Sequence, residues 1–126
     1  MRTLSLVALS GIAMLSACGP STKPGALPPD AFEMAITPQV QLVDVRTSSE
    51  FSSGHLKGAL NLDWTSGELE AQMGSLDKDT PVLVYCASGR RSAAAREALL
   101  KAGFKDVTDL DGGVQAWTAN GKPIVR

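Results

Sequence analysis

The sequence predicts an α/β domain: a parallel sheet with helices on both faces. Three observations predict it. Short runs rich in β-branched and apolar residues alternate with capped helical segments, the order of a parallel sheet covered by helices. One run, Val82-Leu83-Val84-Tyr85, is apolar without interruption, which marks a central strand buried on both faces. The length, 126 residues, is that of one domain.

The chain opens on an address. Met1-Arg2 supplies positive charge, and an apolar run follows from Leu4 to Leu15. The stretch from Thr3 to Ala17 is shorter than the roughly 20 residues a membrane-spanning helix needs, so residues 1–17 read as a signal peptide. Leu15-Ser16-Ala17-Cys18 resembles the bacterial lipobox, in which the cysteine is lipidated and becomes the new N-terminus. That resemblance implies a protein of the bacterial cell envelope, anchored to the membrane through lipid on Cys18 and facing the periplasm. Gly19, where an aspartate would retain a lipoprotein at the inner membrane, points to the outer membrane. A cleaved signal without lipid, leaving a soluble periplasmic protein, is the alternative. Residues 18–29 carry Pro20, Pro24, Pro28 and Pro29 and read as an extended tether outside any helix or sheet. The domain proper is expected over residues 30–126.

Within it, Asp30 and Glu33 have the spacing of an N-cap and its N3 partner, opening a short helix through about Ile36. Val40 to Val45 is β-branched and reads as a strand. Thr47 with Glu50 is a second capping box, for a helix through Ser53 that Gly54 ends. Ala59 to Leu62 reads as a short strand, and Ser66 to Met73 as a helix stopped by Gly74. After the central strand, a helix is expected from Arg91 to Ala102. Its Ala95, Ala98, Leu99 and Ala102 share one face. Gly103 fits a left-handed C-cap, letting Phe104 fold back on Leu99. Asp106 to Leu110 is the last strand, and Asp111-Gly112-Gly113 turns into a helix through Ala119.

Composition narrows the function. With 12 basic and 13 acidic residues and no basic block, nothing favours nucleic acid as a partner. Two cysteines and one histidine are too few for a typical four-ligand Cys/His zinc site, so neither a metal nor another cofactor is expected.

In open α/β sheets the working residues lie just past the carboxyl ends of strands. That directs attention to Asp44-Val45-Arg46 and to Cys86-Ala87-Ser88-Gly89-Arg90-Arg91. A cysteine ending a buried strand is, by position alone, as often inert as reactive. Here a short loop with a glycine and two arginines follows, and then a helix begins. Loop amides and a helix N-terminus both favour an anion, including the thiolate that makes cysteine a nucleophile. The even cysteine count also allows a Cys18–Cys86 disulfide. Lipidation would occupy the Cys18 sulfur and leave Cys86 a free, working thiol.

Three segments resemble the single-domain rhodanese family. The first is Leu42-Val43-Asp44-Val45-Arg46 with Glu50-Phe51 and Gly54-His55-Leu56-Lys57-Gly58-Ala59-Leu60-Asn61. The second is the Cys86 loop, with Gly89 three residues on and Arg91 five on. The third is Leu110-Asp111-Gly112-Gly113 with Trp117. The resemblance implies a five-stranded parallel sheet between helices, and sulfur transfer. Cys86 would attack the outer sulfur of a small anionic donor such as thiosulfate and hold a persulfide. A thiol or a cyanide-like acceptor would then take the sulfur. The amides of Ala87 to Arg91 would stabilise the charged sulfur, and Arg90 or Arg91 would attract the donor. Arg91 matches the family's loop-closing arginine better. Related phosphatases place arginine six residues after the cysteine, where this chain has Ser92, so the loop has the sulfurtransferase length. The alternative within the same fold is a non-catalytic or persulfide-carrying binding module.

The remaining marked residues have plainer expectations. Arg46 is expected to pair with Glu50, with a substrate contact as the alternative, and Asp44 and Arg46 are the candidates for lining the pocket, Asp44 at its floor. His55 is expected to be a hydrogen-bonding structural residue and Trp117 to pack in the core. Asp63-Trp64 departs from the family's pattern, which carries proline where Trp64 stands.

Overall fold

The structure is a computed structural model that describes residues 23–126. The expected signal peptide, the lipidation at Cys18 and its alternative disulfide therefore lie outside the described residues. Five strands form one parallel sheet: β1 (Ala26–Leu27), β2 (Gln41–Asp44), β3 (Leu60–Asn61), β4 (Val82–Tyr85) and β5 (Val107–Leu110). Their order across the sheet is β1-β5-β4-β2-β3. The apolar run of β4 is central, as expected, and all of its residues are buried.

Side-chain alternation divides the core in two. Val43, Val45, Val82, Val84, Cys86 and Val107 face one way. They pack under Leu69 of α3 (Glu68–Gln72) and under Ala95 and Leu99 of α4 (Arg90–Lys101). Leu42, Leu83, Tyr85 and Leu110 face the other way. These meet Phe32 of α1 (Pro29–Ala35) and Trp117 of α5 (Gly113–Ala119), whose rings form an edge-to-face pair at 6.5 Å. Helices thus cover both faces, and the family's five-stranded architecture is present.

α2 (Ser48–Ser53) starts on the expected capping box: Thr47 Oγ1 accepts from the Glu50 amide at 3.2 Å, and Glu50 Oε1 accepts from the Thr47 amide at 3.4 Å. α4 closes as its sequence implies. Gly103, at φ +99°, donates to Leu100 O, and Phe104 donates to Leu99 O, each at 3.1 Å.

Three expectations need correction. The tether does not extend to residue 29, because Ala26–Leu27 is an edge strand on β5. The Gly25 and Leu27 carbonyls accept from the Asp109 and Asp111 amides at 2.9 Å, so Pro24 and Pro28 flank the strand without costing it a donor. Asp30 is not an N-cap; Pro28 takes that place and Pro29 opens α1, where proline's fixed φ is preorganised for a helix. Asp30 and Glu33 instead receive Lys122 Nζ, at 2.8 and 3.1 Å. Finally, Gly74 does not stop the third helix. α3 begins late because Gly67 holds a left-handed turn at its N-cap, and Gly74 lies inside a 3₁₀ turn, Met73–Ser75, that continues α3.

Candidate active site

Because β4 is central, its carboxyl end delivers Cys86 to the middle of the sheet edge, where the chain turns into α4. Gly89 makes that turn at φ +101°, a conformation glycine adopts without a Cβ penalty. The turn aims its amide back at the sulfur, and Gly89 N–H donates to Cys86 Sγ at 3.1 Å. Ser92, wholly buried in the first turn of α4, donates its hydroxyl to the same sulfur at 3.3 Å. The sulfur of the 1 % exposed Cys86 thus accepts from two buried donors, an arrangement suited to a thiolate.

α5 supplies the other side of the loop. Val114 and Gln115 N–H donate to the carbonyls of Cys86 and Ala87 at 2.9 and 3.0 Å. Those carbonyls are turned toward α5, while the amides of Ala87 and Ser88 donate to no backbone carbonyl among the described residues. Gly112 and Gly113 make the contact possible, since Gly113 touches the loop backbone where a side chain would not fit.

The charged residues are arranged differently from the expectation. Arg46 does not pair with Glu50. Its Nη2 meets Asp44 Oδ2 at 2.7 Å and the Gly54 carbonyl at 2.7 Å, while its Nε meets Asp44 Oδ1 at 3.0 Å. Glu50 is taken by Arg91, in a two-pronged contact at 2.7 and 2.9 Å. The reason is alternation: Asp44 and Arg46 stand two residues apart, on the Tyr85 side of the sheet, opposite Cys86. Arg46 lies over the Tyr85 ring, 5.7 Å from its centroid. Asp44 is fully buried behind this pair, so it does not line the floor of a pocket at Cys86.

Arg91's hydrogen bonds hold the Glu50 carboxyl down at about 2, with burial opposing them. The arginine that closes the loop is therefore anchored to the capping-box residue of α2. Ser88 and Arg90 are exposed, and Arg90 forms no ion pair among the described residues. Of the two loop arginines, Arg90 is the one free to meet an anion.

His55 is structural, as expected. Its Nδ1 lies 2.9 Å from the Phe51 carbonyl and its ring stacks on Phe51 at 3.7 Å. Trp117 is a core residue whose Nε1 donates to the Pro123 carbonyl at 2.9 Å. Trp64 packs half-buried against the α3–α4 core, its amide donating to Val45 O at 3.0 Å, so the loop after β3 continues along the end of β2. A mainly apolar cleft of about 310 Å³, lined by Leu56, Lys57 and Trp117 among others, opens on the opposite side of the sheet and includes no residue of the Cys86 loop.

Sequence reasoning missed Ser92, which it counted only as a spacing, and Glu50 as the partner of Arg91. The glycine pair was the available signal for the α5 contact, since consecutive glycines opening a helix mark close backbone approach.

The domain that holds this cysteine has a match among known families. The Rhodanese-like domain model covers residues 28–120. The chain belongs to the rhodanese family. The thiosulfate sulfurtransferase GlpE of Shewanella oneidensis is 40% identical over 85 residues, covering 68% of this chain and 82% of that protein. A sulfurtransferase of Allochromatium vinosum is 39% identical over 92 residues, covering 73% of this chain and 84% of its own length. Among solved structures, a rhodanese-related protein from Thermoplasma volcanium superposes with a TM-score of 0.72 at 31% identity, over 79% of this chain and 96% of that one. The chain is a rhodanese-type sulfurtransferase, an enzyme that moves sulfur from a donor to an acceptor.

Proposed function

We propose that Cys86 carries the transferred sulfur as a persulfide, with thiosulfate or a similar small anion as donor. The observation that carries this reading is the sulfur's pair of buried donors, Gly89 N–H and Ser92 Oγ–H, in a six-residue loop. The Cys86 thiolate attacks the outer sulfur of thiosulfate. A new S–S bond forms at Sγ, the S–S bond of the donor breaks, and sulfite leaves with the bonding electrons. The acceptor, cyanide or a thiolate, then attacks the outer sulfur of the persulfide. Thiocyanate or a new persulfide departs and the Cys86 thiolate returns. The amides of Ala87 and Ser88, which donate to no backbone carbonyl among the described residues, would stabilise the charge that develops on the transferred sulfur. Arg90 draws the anionic donor to the mouth of the loop.

We place this chemistry in the bacterial cell envelope, on a lipid anchor at Cys18. The support is the sequence of residues 1–18 alone. Cys18→Ala is expected to abolish incorporation of labelled palmitate and to move the protein from the membrane to the soluble fraction.

Mass spectrometry tests the persulfide. Exposure to thiosulfate should add about one sulfur atom, roughly 32 Da, to the peptide that contains Cys86. Cyanide should remove it, and Cys86→Ala should abolish both the adduct and turnover. An unmodified, alkylatable Cys86 after exposure to thiosulfate and other sulfane donors would shift the reading to a binding module of the same fold.

A further inference from the structure

Glu50 holds Arg91 at the end of the Cys86 loop, so the loop depends on where α2 sits. Yet α2 has no buried residue, and core packing alone does not place it. Its last turn is held by hydrogen bonds from two directions. From within the fold, Arg46 Nη2 donates to the Gly54 carbonyl at 2.7 Å. From outside, the segment after α5 closes over the same turn. His55 and Val125 form an isolated antiparallel bridge: His55 N–H donates to Val125 O at 2.9 Å, and Val125 N–H donates to His55 O at 2.8 Å. Arg126 Nε donates to the Ser53 carbonyl at 3.1 Å. Ile124 packs onto Gly54 so closely that a Cβ there would sit 2.5 Å from its Cδ1.

The other end of this segment is tied to α5. Lys122 N–H donates to the Trp117 carbonyl at 3.2 Å, and the Trp117 indole N–H donates to the Pro123 carbonyl at 2.9 Å. Trp117 is locked in the core, 4 % exposed and edge-on to Phe32. The Lys122 ammonium is held by Asp30 and Glu33 of α1. Residues 122–126 therefore run from a fixed point on α5 to the last turn of α2. Both helices hold the Cys86 loop by their first turns. α5 donates to the Cys86 and Ala87 carbonyls, and α2 presents Glu50 to Arg91. With six residues, α2 is about 9 Å long, so a tilt of its last turn also moves Glu50.

We infer that residues 122–126 are a positioning strap for the Cys86 loop: by bonding the last turn of α2 to Trp117 of α5, they hold Glu50 where it grips Arg91. Val125 is the central positioning residue, because the bridge to His55 attaches the strap by two bonds. This role rests on Cys86 as the sulfur-carrying residue, and its first test needs no sulfur transfer.

The first test reads the Arg91 guanidinium by nitrogen NMR near pH 7. Glu50 grips both of its Nη groups, which slows rotation about the Nε–Cζ bond, so the native chain is expected to give two separate Nη signals. The full chain is compared with Val125→Pro, which has no N–H to give His55, and with Val125→Pro combined with Ile124→Ala. Val125 and Ile124 are 37 and 38 % exposed, so neither change opens the core. Both variants are expected to show one averaged Nη signal. Two separate signals in both variants, or one averaged signal in the native chain, overturn the inference. The second test is a double-mutant cycle on sulfur transfer from thiosulfate to cyanide. Val125→Pro is expected to lower kcat/KM about 3-fold or more in the native background and to leave it within about 1.5-fold in Glu50→Ala. A loss of equal size in both backgrounds overturns the inference, since the effect would then bypass Glu50. Should thiosulfate give no turnover, the donor reading fails and the Arg91 signals still decide the role of the strap.

Discussion

A Cβ at Gly113 would sit 2.5 Å from the carbonyl carbon and oxygen of Ala87 and from the oxygen of Cys86, all backbone atoms. The residue also holds φ +60°, which L side chains rarely adopt. Gly113→Ala must therefore push the Cys86 loop away from α5 and break the bonds that Val114 and Gln115 donate to it. Gly121 separates the two effects. It has φ +73° and open space around it, so Gly121→Ala meets only the backbone penalty, about 1–2 kcal/mol. Gly121→Ala is expected to lower stability by that amount and leave kcat/KM within about twofold. Gly113→Ala should lower kcat/KM by more than about tenfold, since a displacement near 1 Å at a reacting group costs that much or more. Equal kinetics in the two variants would contradict a loop held by α5. At this scale Cys86, Gly89 and the two arginines were legible because they are consecutive and follow an unmistakable buried strand. Ser92, Asp109 and the partner of Arg91 were not, because their meaning is set by which residues of other elements fold against them.

Between elements, the Arg91–Glu50 contact joins the first turn of α4 to the first turn of α2. Both ends are partly exposed, at 27 and 35 % of the side chain, so water screens the attraction and the pair contributes little to stability. Its value lies in direction: it fixes the arginine at the end of the Cys86 loop. Glu50→Ala also removes half of a capping box, and together these losses should cost about 1–2 kcal/mol in a urea melt. The larger expected effect is on kcat/KM, through a freed Arg91. The Glu50 carboxyl is depressed, so its contribution to stability is complete above about 4.5 and is lost as pH falls toward about 2. An activity profile between pH 5 and 9 should therefore show no inflection that Glu50→Gln removes; such an inflection would mean the pair is not closed in solution. Helices and strands with strong local signals were read correctly: the capping box of α2, the Schellman turn of α4 and the apolar run of β4. The misreadings fell where the chain's partner is remote. Two residues between prolines form a strand only because β5 offers them its amides, and Asp30 looks like a cap until Lys122 claims it.

Across the whole molecule, the sheet separates two buried polar groups of opposite character. On the α1–α5 side, Asp44 and Arg46 satisfy each other, and Arg46 also bonds Gly54. On the α3–α4 side, Asp109 has no cation bonded to it among the described residues and an orphaned oxygen. An unpaired buried carboxyl is tolerated in its neutral form and is costly once charged. The consequence is a pH dependence of folding opposite in sign to that of Glu50. The native state keeps the Asp109 proton up to about 6, whereas the unfolded chain releases it near the ordinary 3.8. Between those values the native state binds more protons, so stability falls as pH rises, and above them it is flat. A shift of about two units corresponds to roughly 3 kcal/mol at most. Asp109→Asn cannot ionise. The difference in unfolding free energy between the variant and the native chain should therefore be constant below about pH 4, grow in the variant's favour up to about pH 6, and level off. Urea denaturation at half-unit steps from pH 3.5 to 8 measures it. A flat difference curve would mean that the Asp109 carboxyl finds a partner in solution, and the fold would then carry no stability penalty for a charge on that face of the sheet.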